Sequence, residues 1–202
     1  MKLVCLDLEG VLVPEIWIAF AEASGIPELR RTTRDEPDYD KLMKFRLALL
    51  KERGLKIRDI QAVINTMEPL DGARDFLHWL RSMTQVIILS DTFEEFARPL
   101  MAKLDYPTLF CNNLVIAEDG TVTDYRLRQK EGKLHALRAL KSINMKIFAA
   151  GDSFNDLAMI READEGCLFR APEGIRSSCS DLDCMDSYQD LLGRIERFLH
   201  SL

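Results

Sequence analysis

Four short apolar runs constrain the fold most: Leu3-Val4-Cys5-Leu6, Gln85-Val86-Ile87-Ile88-Leu89, Lys146-Ile147-Phe148-Ala149-Ala150 and Gly166-Cys167-Leu168-Phe169. Each is too short and too uniformly apolar for an amphipathic helix. Each reads instead as a strand buried on both faces, the kind a parallel sheet needs. Between them, segments 71–83, 93–104, 132–143 and 153–163 repeat apolar residues at helical spacing; in the first these are Phe76, Leu77, Trp79, Leu80 and Met83. Strands alternating with helices predict βαβ units, and hence an α/β, Rossmann-like parallel sheet with helices on both faces.

Two segments break the alternation. Residues 14–68 hold only helical patterns, at 15–24, 40–53 and 57–67, and predict a small helical cap inserted after the first strand. The expected division is a core of 1–13 and 69–202 and a cap of 14–68. Segments 114–117 and 122–127 flank Glu118-Asp119-Gly120 and predict a β-hairpin at the sheet edge. Ser187 is placed to N-cap a last helix reaching about His200.

At 202 residues the chain is one domain with a modest insertion. With 27 Lys+Arg against 33 Asp+Glu, its net charge of −6 disfavours a nucleic-acid binder, although a local basic pocket for a small anion stays open. The longest uncharged run, 106–117, is too short to span a membrane. The N-terminal apolar run is broken by Asp7 and Glu9 and does not read as a signal peptide. Five scattered cysteines (Cys5, Cys111, Cys167, Cys179, Cys184), without C-x-x-C or a neighbouring His, argue against a disulfide framework or a zinc site and fit a reducing cytosol. His78 and His135 have no ligand partner at helical spacing and read as structural or exposed, and Met43, Met67, Met83 and Met159 as core filler. Gly-x-Ser-x-Gly and P-loop patterns are absent.

Ligands of a parallel sheet bind at the carboxyl ends of its strands. There this chain places Asp7 and Glu9, then Ser90, Asp91 and Thr92, then Gly151-Asp152-Ser153-Phe154-Asn155-Asp156; Lys133 opens the helix before the last of these. Each alone has a plain reading as a turn, a helix cap or a solvated lysine. Together they form a set with one chemistry. Converging carboxylates suit Mg²⁺, and Ser90, helix-start N–H groups and Lys133 suit a phosphate. A carboxylate can then attack the neutralised phosphorus to give an aspartyl-phosphate, while a second acid protonates the leaving alkoxide. Asp7 fits the nucleophile and Glu9 the acid/base.

This order resembles the four motifs of the haloacid dehalogenase-like phosphotransferases, across the whole chain, and the helical insertion matches the cap of their phosphoserine phosphatase group. The resemblance implies Asp7 as nucleophile and Mg²⁺ held by Asp7, the backbone carbonyl of Glu9 and Asp152. It further implies phosphoryl contacts from Ser90, Lys133 and Asn155, and Asp156 supporting the metal shell. Thr32-Thr33-Arg34-Asp35, Pro37-Asp38-Tyr39-Asp40 and Leu127-Arg128-Gln129-Lys130 are similar to the branch that joins phosphoserine phosphatase to homoserine phosphotransferase. That likeness implies Glu15 for the substrate ammonium, Arg46 for its carboxylate, phosphoserine and homoserine as small-molecule substrates, a cytoplasmic location and a homodimer. A guanidinium fork suits a carboxylate. From composition alone, Glu15 and Arg46 would lie on solvated helix faces.

Two positions depart from the wider pattern. Glu9 stands where most of the superfamily has Asp; its extra methylene moves the proton-transfer point by about 1 Å and favours an acceptor other than water. Asp91 stands where the phosphatase group usually has Gly. A carboxylate beside a phosphate is unfavourable, so Asp91 is expected to turn its side chain away and offer its backbone N–H. Two rival readings are a phosphatase for another small phosphomonoester and a non-catalytic phospho-accepting receiver switch. Against the switch, the acceptor follows the first strand, a cap is present, and Glu9 supplies an acid/base.

Overall fold

The computed structural model describes residues 1–33, 35–36 and 38–201. Arg34 and Pro37, which belong to two of the segments carrying the resemblance, lie outside the described residues, as does Leu202. Among the described residues the strands are β1 (Lys2–Leu6), β2 (Gln85–Phe93), β3 (Thr108–Ile116), β4 (Val122–Arg126), β5 (Lys146–Gly151), β6 (Glu165–Phe169) and β7 (Cys184–Met185). The helices are α1 (Ile16–Ser24), α2 (Tyr39–Glu52), α3 (Ile57–Thr66), α4 (Ala73–Met83), α5 (Glu94–Lys103), α6 (Gly132–Ser142), α7 (Leu157–Glu162), α8 (Glu173–Ser178) and α9 (Tyr188–His200).

The strands form one sheet in the order β4-β3-β2-β1-β5-β6-β7, parallel throughout except for β4 on β3. From β1 the chain builds outward through β2 to β4, then returns to β1's other edge and builds outward again through β5 to β7. The strand order therefore reverses at β1, and a crevice opens beyond the carboxyl ends of β1, β2 and β5. Side chains alternate across the sheet as a period of two requires. Val4, Leu6, Ile88 and Phe148 pack on one face with α4 and α9; Leu3, Cys5, Leu89 and Ile147 pack on the other with Leu137 of α6 and Met159 of α7. Helices thus cover both faces, as the alternating sequence pattern predicts.

Four features differ from the sequence expectation. The first hairpin arm, expected over 114–117, begins at Thr108: β3 runs parallel to β2 over its first half and antiparallel to β4 over its second. The expected helix at 153–163 opens instead as a 3₁₀ turn, Phe154–Asp156, before α7. α8 and β7 have no counterpart in the expectation, being too short to show a period. The predicted last helix stands, with Ser187 Oγ accepting the Asp190 N–H at 3.1 Å.

Helices α1 to α3 lie between β1 and α4 in the chain, the entering and leaving segments joined by the Leu70 N–H donating to Leu12 O at 2.9 Å. The β3–β4 hairpin braces them. Ile57 N–H donates to Gly120 O at 3.0 Å, Lys56 Nζ meets Asp119 at 2.9 Å, and Tyr125 OH donates to Asp40 at 2.7 Å. No helix of the described residues is long and apolar enough to cross a membrane.

Candidate active site

Where β1 ends, the Asp7 N–H donates to Ala150 O of β5 at 3.0 Å, so the strand pairing itself delivers Asp7 to the crevice. Its Oδ1 accepts from the Leu8 N–H at 2.7 Å and lies 2.9 Å from Lys133 Nζ. Lys133 comes from the first turn of α6 and is only 5% exposed; it donates to Asp156 Oδ1 at 2.6 Å. The other Asp156 oxygen accepts from the Asp152 N–H (3.1 Å), the Ser153 N–H (3.0 Å) and Ser153 Oγ (2.9 Å). Asp156 is therefore spent on positioning: it fixes the loop after β5 and holds Lys133 beside Asp7. This needs glycine at 151, because a Cβ there would fall 2.3 Å from Asp156 Cγ.

Asp7, Asp152 and Asp156 bring one carboxylate oxygen each to within 4.8 Å of one another. Three carboxyl groups so close, faced by the ammonium of Lys133, make a hard oxygen set rich in negative charge. That is the setting a divalent cation such as Mg²⁺ relieves. Since both oxygens of Asp156 already serve Lys133 and the loop, Asp7 and Asp152 are the carboxylates suited to ligate it. Burial first, then Asp156 and Asp152, push the Asp7 carboxyl well above its ordinary range against the opposing pull of Lys133. Burial disfavours the charged form of Lys133, but Asp156, Asp7 and Asp91 outweigh it and hold the amine well above its ordinary range.

Gly10 adjoins this cluster with φ +75°, and a Cβ there would sit 2.5 Å from Asp152 Cγ. Gly10→Ala is expected to cost about 1–2 kcal/mol for the left-handed backbone alone and to displace Asp152. Thermal unfolding should show a midpoint lowered by roughly 2–8 °C, at 2–4 °C per kcal/mol.

A second group stands where β1 meets α1 and α2. Glu9 accepts from the Ile16 N–H, at the start of α1, at 2.9 Å. Burial and the neighbouring Glu15 raise its carboxyl to about 8, although Ile16, Arg46 and Thr92 pull the other way. Glu9 is thus protonated near neutrality, the state a proton donor needs. Arg46, 6% exposed, lies over the Trp17 ring at 4.5 Å and donates from Nη2 to Arg31 O at 2.8 Å. Its Nε is buried without a hydrogen-bond partner among the described residues. Burial lowers the guanidinium to about 10, opposed by Glu9, Tyr39 and Glu15.

The structure therefore brings the residues singled out by sequence into two adjoining groups. One is Asp7, Lys133, Asp152 and Asp156; the other is Glu9, Glu15 and Arg46. Ser90 is buried, its Oγ accepting the Thr92 N–H at 3.2 Å. Asn155 is exposed and donates from Nδ2 to Asp91 Oδ2 at 2.9 Å. That contact corrects one expectation: the Asp91 carboxylate does not turn away but faces Asn155 and Lys133, the latter at 3.9 Å.

Sequence reasoning placed Thr92 at the end of its strand but missed two residues: Tyr39 OH and Asn112 Nδ2 both donate to Asp91 O, at 3.2 and 3.1 Å. Tyr39 was legible in principle, lying two helical turns before Arg46 and so on the same face of α2. Asn112 was not, because the first half of its strand was unrecognised.

The sequence model of the haloacid dehalogenase-like hydrolases matches residues 1–164. The chain is 54% identical over 191 residues to a phosphoserine phosphatase of Pseudomonas syringae pv. tomato, covering 95% of this chain and 81% of that protein. It is also 54% identical to the phosphoserine phosphatase ThrH of Pseudomonas aeruginosa, covering 95% and 93%. Among solved structures, a phospho-aspartyl intermediate analogue of phosphoserine phosphatase superposes with a TM-score of 0.79 at 20% identity, over 96% of this chain and 98% of that one. This last likeness concerns the fold.

Proposed function

The chain belongs to the haloacid dehalogenase-like hydrolases, and on that footing we propose that it is an Mg²⁺-dependent phosphoserine phosphatase that also passes the phosphoryl group to homoserine, through an aspartyl-phosphate on Asp7. The observation that carries the substrate is the buried Arg46, whose Nε has no partner among the described residues, set against Glu9 and Glu15 on the cap side of the crevice. A buried donor without a partner costs about 1–3 kcal/mol; a ligand carboxylate would satisfy it, and Glu15 beside it suits an ammonium. An amino acid bearing a phosphate fits both this pair and the anion-binding side of the crevice. In this reading residues 14–68 act as the cap.

The chemistry follows from the two groups. Arg46 and Glu15 fix the amino-acid end, and Lys133, Ser90 and Asn155 take the phosphoryl oxygens. Asp7, Asp152 and the Glu9 carbonyl would hold Mg²⁺, which supplies charge neutralisation at the phosphoryl group. An Asp7 oxygen forms a bond to phosphorus as the bond from phosphorus to the serine oxygen breaks, and the Glu9 proton passes to that oxygen. Serine leaves. Glu9, now a carboxylate, takes the proton of the acceptor hydroxyl; the acceptor oxygen bonds to phosphorus, and the Asp7 carboxylate is released. Water as acceptor gives phosphate, and homoserine gives phosphohomoserine. A cytoplasmic location and a homodimer go with this reading on the strength of the resemblance.

Product analysis with phosphoserine and Mg²⁺, with and without homoserine, tests it. Diversion of phosphate into phosphohomoserine upholds both roles; free phosphate alone removes the transferase; neither product removes the substrate. Arg46→Lys, which keeps the charge but loses the fork, should raise the KM for phosphoserine by about 10–100-fold with a smaller change in kcat. An unchanged KM would remove Arg46 from substrate binding.

A further inference from the structure

We propose that Asp91 is a specificity-determining residue whose carboxylate stands in the phosphate site as a built-in competitor for the phosphoryl group. Its place is set by backbone contacts from two directions. Tyr39 OH of α2 and Asn112 Nδ2 of β3 both donate to Asp91 O, and Asn112 Oδ1 in turn accepts the Arg128 N–H at 3.0 Å. With the main chain held there, the side chain reaches into the crevice. Oδ2 accepts from Asn155 Nδ2 at 2.9 Å and lies 3.9 Å from Lys133 Nζ. These are two of the donors assigned above to the phosphoryl oxygens. The Asp91 side chain is 41% exposed, so it is not a buried structural carboxylate but one presented at the site.

The inference rests on the crevice being a phosphoryl site. An incoming phosphate, close to dianionic at neutral pH, must displace this carboxylate from Asn155 and Lys133 or bind beside it. Either way, affinity for every phosphate falls. A substrate whose amino-acid end is gripped by Arg46 and Glu15 offsets that loss. Inorganic phosphate and simple phosphoesters have no such grip. Asp91 therefore makes productive binding depend on the cap and hastens release of product phosphate.

Asp91→Asn removes the charge, keeps the shape, and leaves an amide oxygen to accept from Asn155. Wild type and variant are titrated with inorganic phosphate in Mg²⁺ buffer by calorimetry, which needs no turnover. Phosphate affinity should rise about tenfold or more in D91N. Inhibition by phosphate should tighten in step, and kcat/KM for an aryl phosphate should gain on that for phosphoserine. Equal or weaker phosphate binding overturns the proposal; if D91N lowers the thermal midpoint, D91S is read in its place by the same criterion. The two readings fail separately. Tighter phosphate binding by D91N without phosphoserine turnover removes the substrate and keeps the role of Asp91; phosphoserine turnover with unchanged phosphate binding does the reverse.

Discussion

Asp7→Asn is expected to lower phosphoserine turnover by at least about a thousandfold while the protein stays folded. The amide occupies the same volume but has no anionic oxygen to bond to phosphorus, so the proposed attack by Asp7 is lost. The fold has no reason to suffer. In the wild type this carboxylate is buried within 4.8 Å of oxygens of Asp152 and Asp156, and its ionised form is disfavoured by burial and by both neighbours. Removing its charge relieves that repulsion, and Lys133 keeps Asp156 at 2.6 Å. The thermal midpoint should therefore hold or rise. Initial rates and thermal unfolding on one preparation decide the matter: turnover above about one per cent of wild type excludes Asp7 as nucleophile.

Lys133→Met should damage the fold itself. Lys133 Nζ lies 2.6 Å from Asp156, 2.9 Å from Asp7 and 3.9 Å from Asp91. Methionine fills much the same space without the charge. Deleting one partner of a buried ion network leaves the others uncompensated and costs about 3–5 kcal/mol, equivalent to a midpoint roughly 6–20 °C lower at 2–4 °C per kcal/mol. The deficit has a direction in pH. Asp7 already has a raised folded-state pKa, and losing Lys133 raises it further. A carboxyl raised in this way stabilises the folded state at low pH and costs stability as pH climbs above its unfolded value near 3.9. The K133M deficit should accordingly be smaller at pH 5 than at pH 7. Chemical denaturation at the two pH values checks this, and a variant as stable as wild type at pH 7 would show that the network contributes nothing net.

Legibility in the sequence followed local physics. β1, β5 and residues 86–89 of β2 are largely buried, so each is a nearly unbroken apolar run; once seen as strands, they place Asp7, Ser90 and Asp152 at one edge by the topology of a parallel sheet alone. The first half of β3 escaped notice because Thr108 is exposed, Leu109, Phe110 and Cys111 are half-buried, and the strand changes partner midway. Such a strand shows neither a continuous apolar run nor a clean alternation. The 3₁₀ turn at Phe154–Asp156 was read as helix because its capping pattern, Ser153 with Asp156, is that of a helix start.

By itself, then, the sequence determined the α/β class, the order of the carboxylates and lysine along the strand ends, and the helical insertion between β1 and α4. These depend on period and burial, which each segment carries within itself. Only the tertiary structure decided which charges meet. Asp156 and Lys133 are 23 residues apart, and nothing local says that one is spent on holding the other. The heading of Asp91 was decided in the same way. On electrostatic grounds its carboxylate should turn from an anion site, yet Tyr39 from α2 and Asn112 from β3 grip its carbonyl, and Asn155 and Lys133 receive its side chain. Side-chain direction at a strand end is a sum over partners distant in sequence, and that sum exists only once the chain has folded.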